Sequence, residues 1–401
     1  MRGHRPEVAD VFRSYAGAYQ EAWGSSTSVA QKRVLRAISV CRTAALGGHK
    51  RRCDRCGHQE ISYNSCRDRH CPKCQASARA RWLDARQGEL LDVPYFHVVF
   101  TLPARLSPVA LQNKRLLYGM LFRTVAETLL TIARDPKHLG AEIGFLAVLH
   151  TWGQNLDHHP HIHCVVPGGG ISPAHDEWIS CPERFLLPVR VLSRLFRNKF
   201  LAHLTAARNN GSLSFHGKLE PLREPENWQR LLTEVQATDW VVYAKPPFGG
   251  PEQVLKYLAR YTHRVAISNQ RLVAVEDGKV SFQWTDYAHG RRHRVMTLEA
   301  AEFIRRFLLH VLPTGFMHIR HYGFLANRLR DKKLALAREL LAEKPSSHTP
   351  TSQASAPSRV DSAQEPNSLI CPACKQGRLI LVETLQPDPD TGFQPLEFDT
   401  S

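Results

Sequence analysis

The stretch His150–Gly170, HTWGQNLDHHPHIHCVVPGGG, places five histidines within fourteen residues. In a β-strand, side chains at i and i+2 share a face. His161 and His163 therefore point one way, and Ile162 and Cys164 the other. Two neighbouring imidazoles can chelate one divalent ion, but a catalytic centre needs a third ligand and open positions for substrate. His150 lies near the end of the preceding apolar run, IGFLAVLHTW, and an antiparallel pairing would bring it alongside; His159 and Gln154 are the alternatives. Pro160 is where the strand should begin, which leaves His158 and His159 in the turn.

A second constellation is EQVLKYLARYTHR. Tyr257 and Tyr261 stand four apart, so on a helix both phenols leave one face, about 6 Å between Cβ atoms. Such a pair is also the pattern of a half-buried aromatic stripe. Here, however, Lys256, Arg260, His263 and Arg264 surround it with positive charge that suits phosphate. A phenol becomes a competent nucleophile when a metal polarises the phosphate and cations stabilise the developing charge.

The third is HKRRCDRCGHQEISYNSCRDRHCPKC. Cys53-x-x-Cys56 and Cys71-x-x-Cys74 are two knuckles that can present four thiolates to Zn²⁺. Cys66, His49, His58 and His70 are spare donors. Arg51, Arg52, Arg67 and Arg69 flank the module with charge expected to contact DNA. CPAC, at Cys371 and Cys374, is half a site: either a metal knuckle completed elsewhere or a surface turn with two thiols. Ten cysteines without a secretory signal argue for metal rather than disulfides.

Charge points the same way. The chain carries 53 Lys and Arg against 37 Asp and Glu. From Lys344 onward there are 4 basic and 7 acidic residues, leaving 49 against 30, a net of +19, on residues 1–343. A basic body with a mildly acidic tail suits a polyanion partner. No apolar run reaches the roughly 18 residues of a membrane helix, so a cytoplasmic protein is expected.

The elements that must position these groups follow from periodicity. Residues 7–47 read as helical, and ASARARWLDARQGELL as a short basic helix behind the cysteines. PYFHVVFTLP, IGFLAVLHTW, HIHCVVPGGG and WVVYAKPP read as strands. KRLLYGMLFRTVAETLLTIARD and VLSRLFRNKFLAHLTAARNNG read as helices, the latter closing at Gly211. GGPEQVLKYLARYTHR is a third helix, with Pro251 and Glu252 in its first turn. Residues 265–297 form a meander with a hairpin at EDGK, and two helices follow. Residues 345–368 are Pro/Ser/Ala-rich and cannot bury enough surface to stay ordered. The expected class is α+β, divided into 1–93 (helical, zinc-binding), 94–330 (catalytic), 331–344 (C-terminal helix) and 345–401 (a mostly disordered tail with the CPAC knuckle).

The order of a CxxC/CxxC module, then HPHIHCVV, then YLARYTHR resembles the two-tyrosine HUH transposases of insertion-sequence family ninety-one. YNSCRDRHCPKC is similar to that family's N-terminal zinc module, and FIRRFLLHVLPTGFMHIRHYGFL to its segment after the catalytic helix. The resemblance spans roughly residues 10–330. It implies an HUH endonuclease-like antiparallel sheet flanked by helices, and a nucleoid-associated bacterial protein. It also implies Tyr257 and Tyr261 as nucleophiles that form 5′-phosphotyrosine links in rolling-circle-type transposition. Mg²⁺ or Mn²⁺ would be held by His161, His163 and His150, with structural Zn²⁺ on Cys53, Cys56, Cys71 and Cys74. Lys256, Arg260 and Arg264 would join the arginines of the module in holding DNA. The implied partners are single-stranded and hairpin DNA at element ends, target DNA and further copies of the chain, with no membrane.

Three rivals are weaker. A histidine-triad nucleotide hydrolase fails because Pro160 breaks its alternation and the triad is one residue out of register. A plasmid replication initiator or relaxase would use the same chemistry, though relaxases carry the tyrosine ahead of the histidines. A recognition-only zinc protein would not need them. Tyr322 is a further phenol to test as a nucleophile.

Overall fold

The computed structural model describes residues 5–182, 186–245, 266–286, 290–343 and 370–388. Its centre is a five-stranded antiparallel sheet of β3 (Tyr95–Thr101), β4 (Gly144–Trp152), β5 (His158–Pro167), β8 (Val242–Lys245) and β12 (Ile319–Gly323). The strand order is β12-β4-β5-β3-β8. Alternation sorts the side chains into two faces. Phe96, Val98, Phe100, Phe145, Ala147, Leu149, Ile162, Cys164 and Val166 enter the main core. That core is completed by helices Lys114–Arg134 and Val189–Asn209. The opposite face carries the histidines.

Helix Lys114–Arg134 is the one described helix that length and composition alone would allow to cross a membrane, though Arg123 and Glu127 interrupt its apolar residues. Its apolar residues, among them Leu121, Phe122, Val125 and Leu129, are spent on the core of the sheet.

A second core joins distant parts of the chain. Helices Val8–Trp23 and Val29–Val40 pack on helix Ala300–Leu309 and on a separate meander of β9 (Leu272–Glu276), β10 (Lys279–Asp286) and β11 (Arg292–Glu299). Phe12 meets Phe307 edge to face at 5.2 Å. Ser28 and Gln31 form a reciprocal capping box that starts the second helix. The N-terminal helices therefore lean on residues expected in the catalytic unit. Their apolar stripes need a covering surface, and the small cysteine sheet beside them has little to offer. Asp277 and Gly278, at φ 50° and 74°, make the expected tight turn between β9 and β10.

The cysteine sheet comprises β1 (Gly48–Cys53), β2 (Gln59–Tyr63) and β13 (Leu379–Leu385) in the order β13-β1-β2. The third strand and the CPAC knuckle both come from the expected tail. Residues 370–388 are ordered, and β13 pairs antiparallel with β1 from Gly48↔Leu385 to Cys53↔Leu379. The rest of the expected disordered segment, and the expected helix with Tyr257, Tyr261, Lys256, Arg260 and Arg264, lie outside the described residues. Further elements are a short pair, β6 (Gly169–Ile171) and β7 (Trp178–Ser180), and helices at Pro72–Gln87, Pro225–Ala237 and Arg330–Ala342.

Candidate metal centre and cysteine clusters

His150 on β4 stands directly across from His161 on β5, and Val148 from His163. One donor atom from each of His150, His161 and His163 falls within 4.8 Å of the others. The ring centroids are separated by 5.5 Å (His150–His161), 4.4 Å (His150–His163) and 4.8 Å (His161–His163). Register slips between His150 and Trp152. Such a bulge re-aims side chains, and Trp152 lies against the His150 ring at 4.6 Å. His150 and His163 are buried, whereas His161 is half-buried and forms the open side.

Hydrogen bonds select the ring nitrogens. His161 Nδ1 lies 2.7 Å from the carbonyl oxygen of His159. A carbonyl only accepts, so Nδ1 carries the proton and Nε2 keeps its lone pair. His163 Nδ1 lies 2.7 Å from His97 Nε2, which leaves His163 Nε2 as its remaining donor. His97, on β3, is the residue that sequence reasoning missed. Its signal was a polar side chain inside PYFHVVFTLP, two residues off the direct cross-strand position. Burial first, then the charge of Lys245 and the proximity of His161, push its pKa down to about 3, so the ring is neutral.

β5 begins at His158, earlier than Pro160. His158 leaves the metal face altogether: Nε2 meets the Tyr118 hydroxyl at 2.7 Å and Nδ1 the Ser107 hydroxyl at 2.7 Å. Tyr322 is also removed from the site. It pairs with Phe145, on the core face, and stacks on that ring at 5.2 Å.

The cysteines form two clusters rather than the one expected. Cys71 and Cys74 join Cys41 and Cys66; Cys53 and Cys56 join Cys371 and Cys374. Pairing Cys53 and Cys56 with Cys71 and Cys74 is thus corrected. The fold brings Cys41 and Cys66 to Cys71 and Cys74, and the returning tail brings Cys371 and Cys374 to Cys53 and Cys56. In the first cluster Cys41 follows helix Val29–Val40, and Cys71 and Cys74 open helix Pro72–Gln87, where the helix dipole favours thiolate. Sulfur–sulfur distances are 3.7 Å (Cys41–Cys74), 3.6 Å (Cys66–Cys74) and 3.6 Å (Cys41–Cys71). Hydrogen bonding from Cys41 above all, then from Cys66 and Cys71, pulls the Cys74 thiol far below its usual range; Cys66 is pushed far up. The loop between these cysteines braces the central sheet. Arg69 donates to the carbonyls of Phe316 (2.7 Å) and Pro313 (3.1 Å), and His70 Nε2 accepts from Leu312 N–H at 3.2 Å. That segment leads into β12, the neighbour of β4.

Of the arginines expected on DNA, Arg52 and Arg67 are exposed, Arg51 is half-buried, and Arg69 is committed to those carbonyls. A groove of about 340 Å³ beside β8 adds Arg190, Arg194 and Arg197, which the sequence reading did not single out.

Comparison with known proteins agrees with this architecture. A family described as "Transposase zinc-binding domain" matches residues 11–102, and one described as "Putative transposase" matches residues 144–333. The chain is 58% identical over 400 residues, 99% of both chains, to "Putative transposase y4qJ" of Sinorhizobium fredii. It is 29% identical over 318 residues, 75% of this chain and 72% of the relative, to "Transposase for insertion sequence element IS801" of Pseudomonas savastanoi pv. phaseolicola. No solved structure matches. These findings define a transposase, a DNA-processing enzyme. The chain belongs to the transposases of insertion-sequence family ninety-one.

Proposed function

We propose that the protein cleaves and rejoins single-stranded DNA through a phosphotyrosine intermediate, with one divalent ion held by His150, His161 and His163. The observation that carries this reading is the convergence of three imidazole donor atoms within 4.8 Å on the face of the sheet opposite the core. The donor set fits a metal: His161 has its Nδ1 proton engaged by a carbonyl, so its Nε2 is available as a ligand. Three imidazoles favour Mn²⁺ or another transition ion over Mg²⁺, which prefers oxygen. When bound, the ion supplies Lewis-acid polarisation of the scissile phosphate.

The chain's own residues do the rest. The Tyr257 or Tyr261 oxygen attacks phosphorus, forming a bond to the 5′-phosphate as the bond to the 3′-oxygen breaks. The phenolic proton is given up, and the departing 3′-oxygen gains one. A second tyrosine lets a second strand transfer proceed before the first covalent product is released. Lys256, Arg260 and Arg264 neutralise the phosphate, and Arg52, Arg67 and the arginines beside β8 hold the flanking strand. Cys41, Cys66, Cys71 and Cys74 hold the structural Zn²⁺ of the zinc-binding domain.

The test is a covalent adduct between purified protein and single-stranded DNA carrying an element end. EDTA should abolish it and Mn²⁺ restore it. Tyr257→Phe and Tyr261→Phe should each impair strand transfer, and the double variant should give no adduct. An undiminished adduct in the double variant sinks the nucleophile assignment. Firm DNA binding with no cleavage under any divalent ion favours a recognition-only protein.

A further inference from the structure

We infer that Cys53, Cys56, Cys371 and Cys374 bind a second zinc ion, which clasps the end of the chain onto its N-terminal sheet. Two of these ligands lie far outside the matched zinc-binding domain, residues 11–102. The site therefore exists only because the tail folds back.

The sulfur geometry is the first argument. A tetrahedral zinc with Zn–S near 2.3 Å requires sulfurs about 3.8 Å apart along each edge. Cys53–Cys374 and Cys56–Cys371 are both 3.7 Å apart, and all four sulfurs lie within 4.8 Å of one another. A disulfide would need about 2.05 Å. All four are free thiols, and four soft donors at tetrahedral spacing suit Zn²⁺.

The backbone is the second. Both knuckles are built alike. Gly57 N–H returns to the Cys53 carbonyl at 3.2 Å, and Lys375 N–H to the Cys371 carbonyl at 2.8 Å. Cys53 N–H donates to the His58 carbonyl, and Cys371 N–H to the Gly377 carbonyl, each at 2.8 Å. Amides then aim at the sulfurs: Arg55 and Cys56 N–H donate to Cys53 Sγ at 3.4 and 3.5 Å, and Gly377 N–H donates to Cys374 Sγ at 3.3 Å. Such donors stabilise thiolate over thiol. The knuckles also grip each other, since Arg378 N–H donates to Asp54 Oδ1 at 2.8 Å and Asp54 N–H to the Arg378 carbonyl at 3.0 Å.

Close approach is the third. A Cβ at Gly377 would collide with Cys53 Sγ and lie 2.7 Å from Asp54 Oδ1. At the far end of the pairing, a Cβ at Gly47 would collide with the Leu385 carbonyl. Both ends of the contact are thus fitted to the seated tail. Beyond the backbone pairing with β1, little apolar burial holds it there: the middle of β13 is exposed, with Ile380, Leu381 and Val382 each near half accessible. With so little apolar burial, a metal is the stabilising element available to this hairpin.

Zinc content of the full-length protein, measured by elemental analysis, tests the site independently of DNA chemistry. Two zincs per chain are expected, falling to one in Cys371→Ser/Cys374→Ser. Cys374→His, which keeps a zinc donor, should return to two. In hydrogen exchange, amides of β13 should lose their protection in the double serine variant while those of β5 keep theirs. One zinc in the wild type, or two in the double serine variant, overturns the inference. Either result leaves the phosphotyrosine proposal untouched.

Discussion

His97 Nε2 stands 2.7 Å from His163 Nδ1, with the two rings nearly parallel, 7° apart in plane and 5.0 Å between centroids. His97 does not belong to the three-histidine group; it acts on that group through His163. A neutral His97 whose Nε2 accepts a hydrogen bond from His163 Nδ1–H fixes the tautomer of His163 and turns its Nε2 toward His150 and His161.

Replacing His97 by Ala should therefore weaken metal binding while leaving the ligand set complete. The expected loss is about 10–100-fold in Mn²⁺ affinity. It should be read as a higher Mn²⁺ concentration for half-maximal adduct formation, with the maximal rate recovered at excess metal. His97→Gln, which can still accept a hydrogen bond, should lie between. An unchanged Mn²⁺ requirement in His97→Ala would show that the contact is packing alone.

Tyr322 offers a cleaner separation of faces. Its phenol stacks on Phe145 in the core, burial raises its pKa, and its register partner lies on the side opposite His163. Tyr322→Phe should leave adduct formation within about twofold of wild type, since it removes only one hydroxyl away from the site. An adduct mapped to Tyr322 would refute the placement of the reaction on the histidine face.

Four of the five strands of the central sheet, all but β12, and the pairing of His150 with the His161/His163 strand were legible because period-2 alternation and cross-strand parity are local properties. His97 was not. A single histidine in an apolar strand gives no hint of which diagonal neighbour it will meet. The cysteines show the same limit more sharply. Each CxxC knuckle can be recognised by spacing, but which knuckle pairs with which depends on where helix Val29–Val40 ends and how the tail returns. Cys41 carries no motif at all, and Cys371 looked like half a site because its partner lies more than three hundred residues away. The cost of closing so long a loop grows only slowly with length, so sequence distance was a poor guide to spatial distance. For a related reason, nothing in the sequence showed that the CPAC knuckle would carry a strand back onto β1.

Arg69 and its neighbours should divide into structural and DNA-contacting roles. Arg69 donates two hydrogen bonds to carbonyls ahead of β12, so Arg69→Ala should cost about 1–3 kcal/mol of stability. This would appear as a lower melting temperature. Arg52→Ala and Arg67→Ala, at exposed positions, should leave the melting temperature nearly unchanged. Each should instead reduce the slope of log affinity against log salt by roughly 1. A salt slope altered most by Arg69→Ala would reverse this division.

Acid should loosen the joint between the two cores. His158 sits in a closed neutral network. Ser107 spends its proton on the His158 carbonyl at 2.6 Å, so it accepts from Nδ1–H, and the Tyr118 hydroxyl donates to Nε2. His310 is held likewise, Nε2–H donating to the Leu156 carbonyl at 3.1 Å and Nδ1 accepting from the Thr151 hydroxyl at 3.2 Å. Burial first, with Lys114 also contributing at both sites, pushes each imidazole to about 3. A folded pKa below the unfolded value of 6.5 means the unfolded chain binds protons first as pH drops. The stabilisation from each histidine is complete above about pH 6.5 and is lost progressively as pH falls toward about 3. Between pH 7.5 and 5.5 the two together should remove about 3 kcal/mol, visible as a falling melting temperature. His158→Gln and His310→Gln should each be less stable at pH 7.5 yet show a flatter dependence on pH, because glutamine does not titrate. Parallel pH profiles for wild type and both variants would mean that neither histidine is the acid-sensitive group.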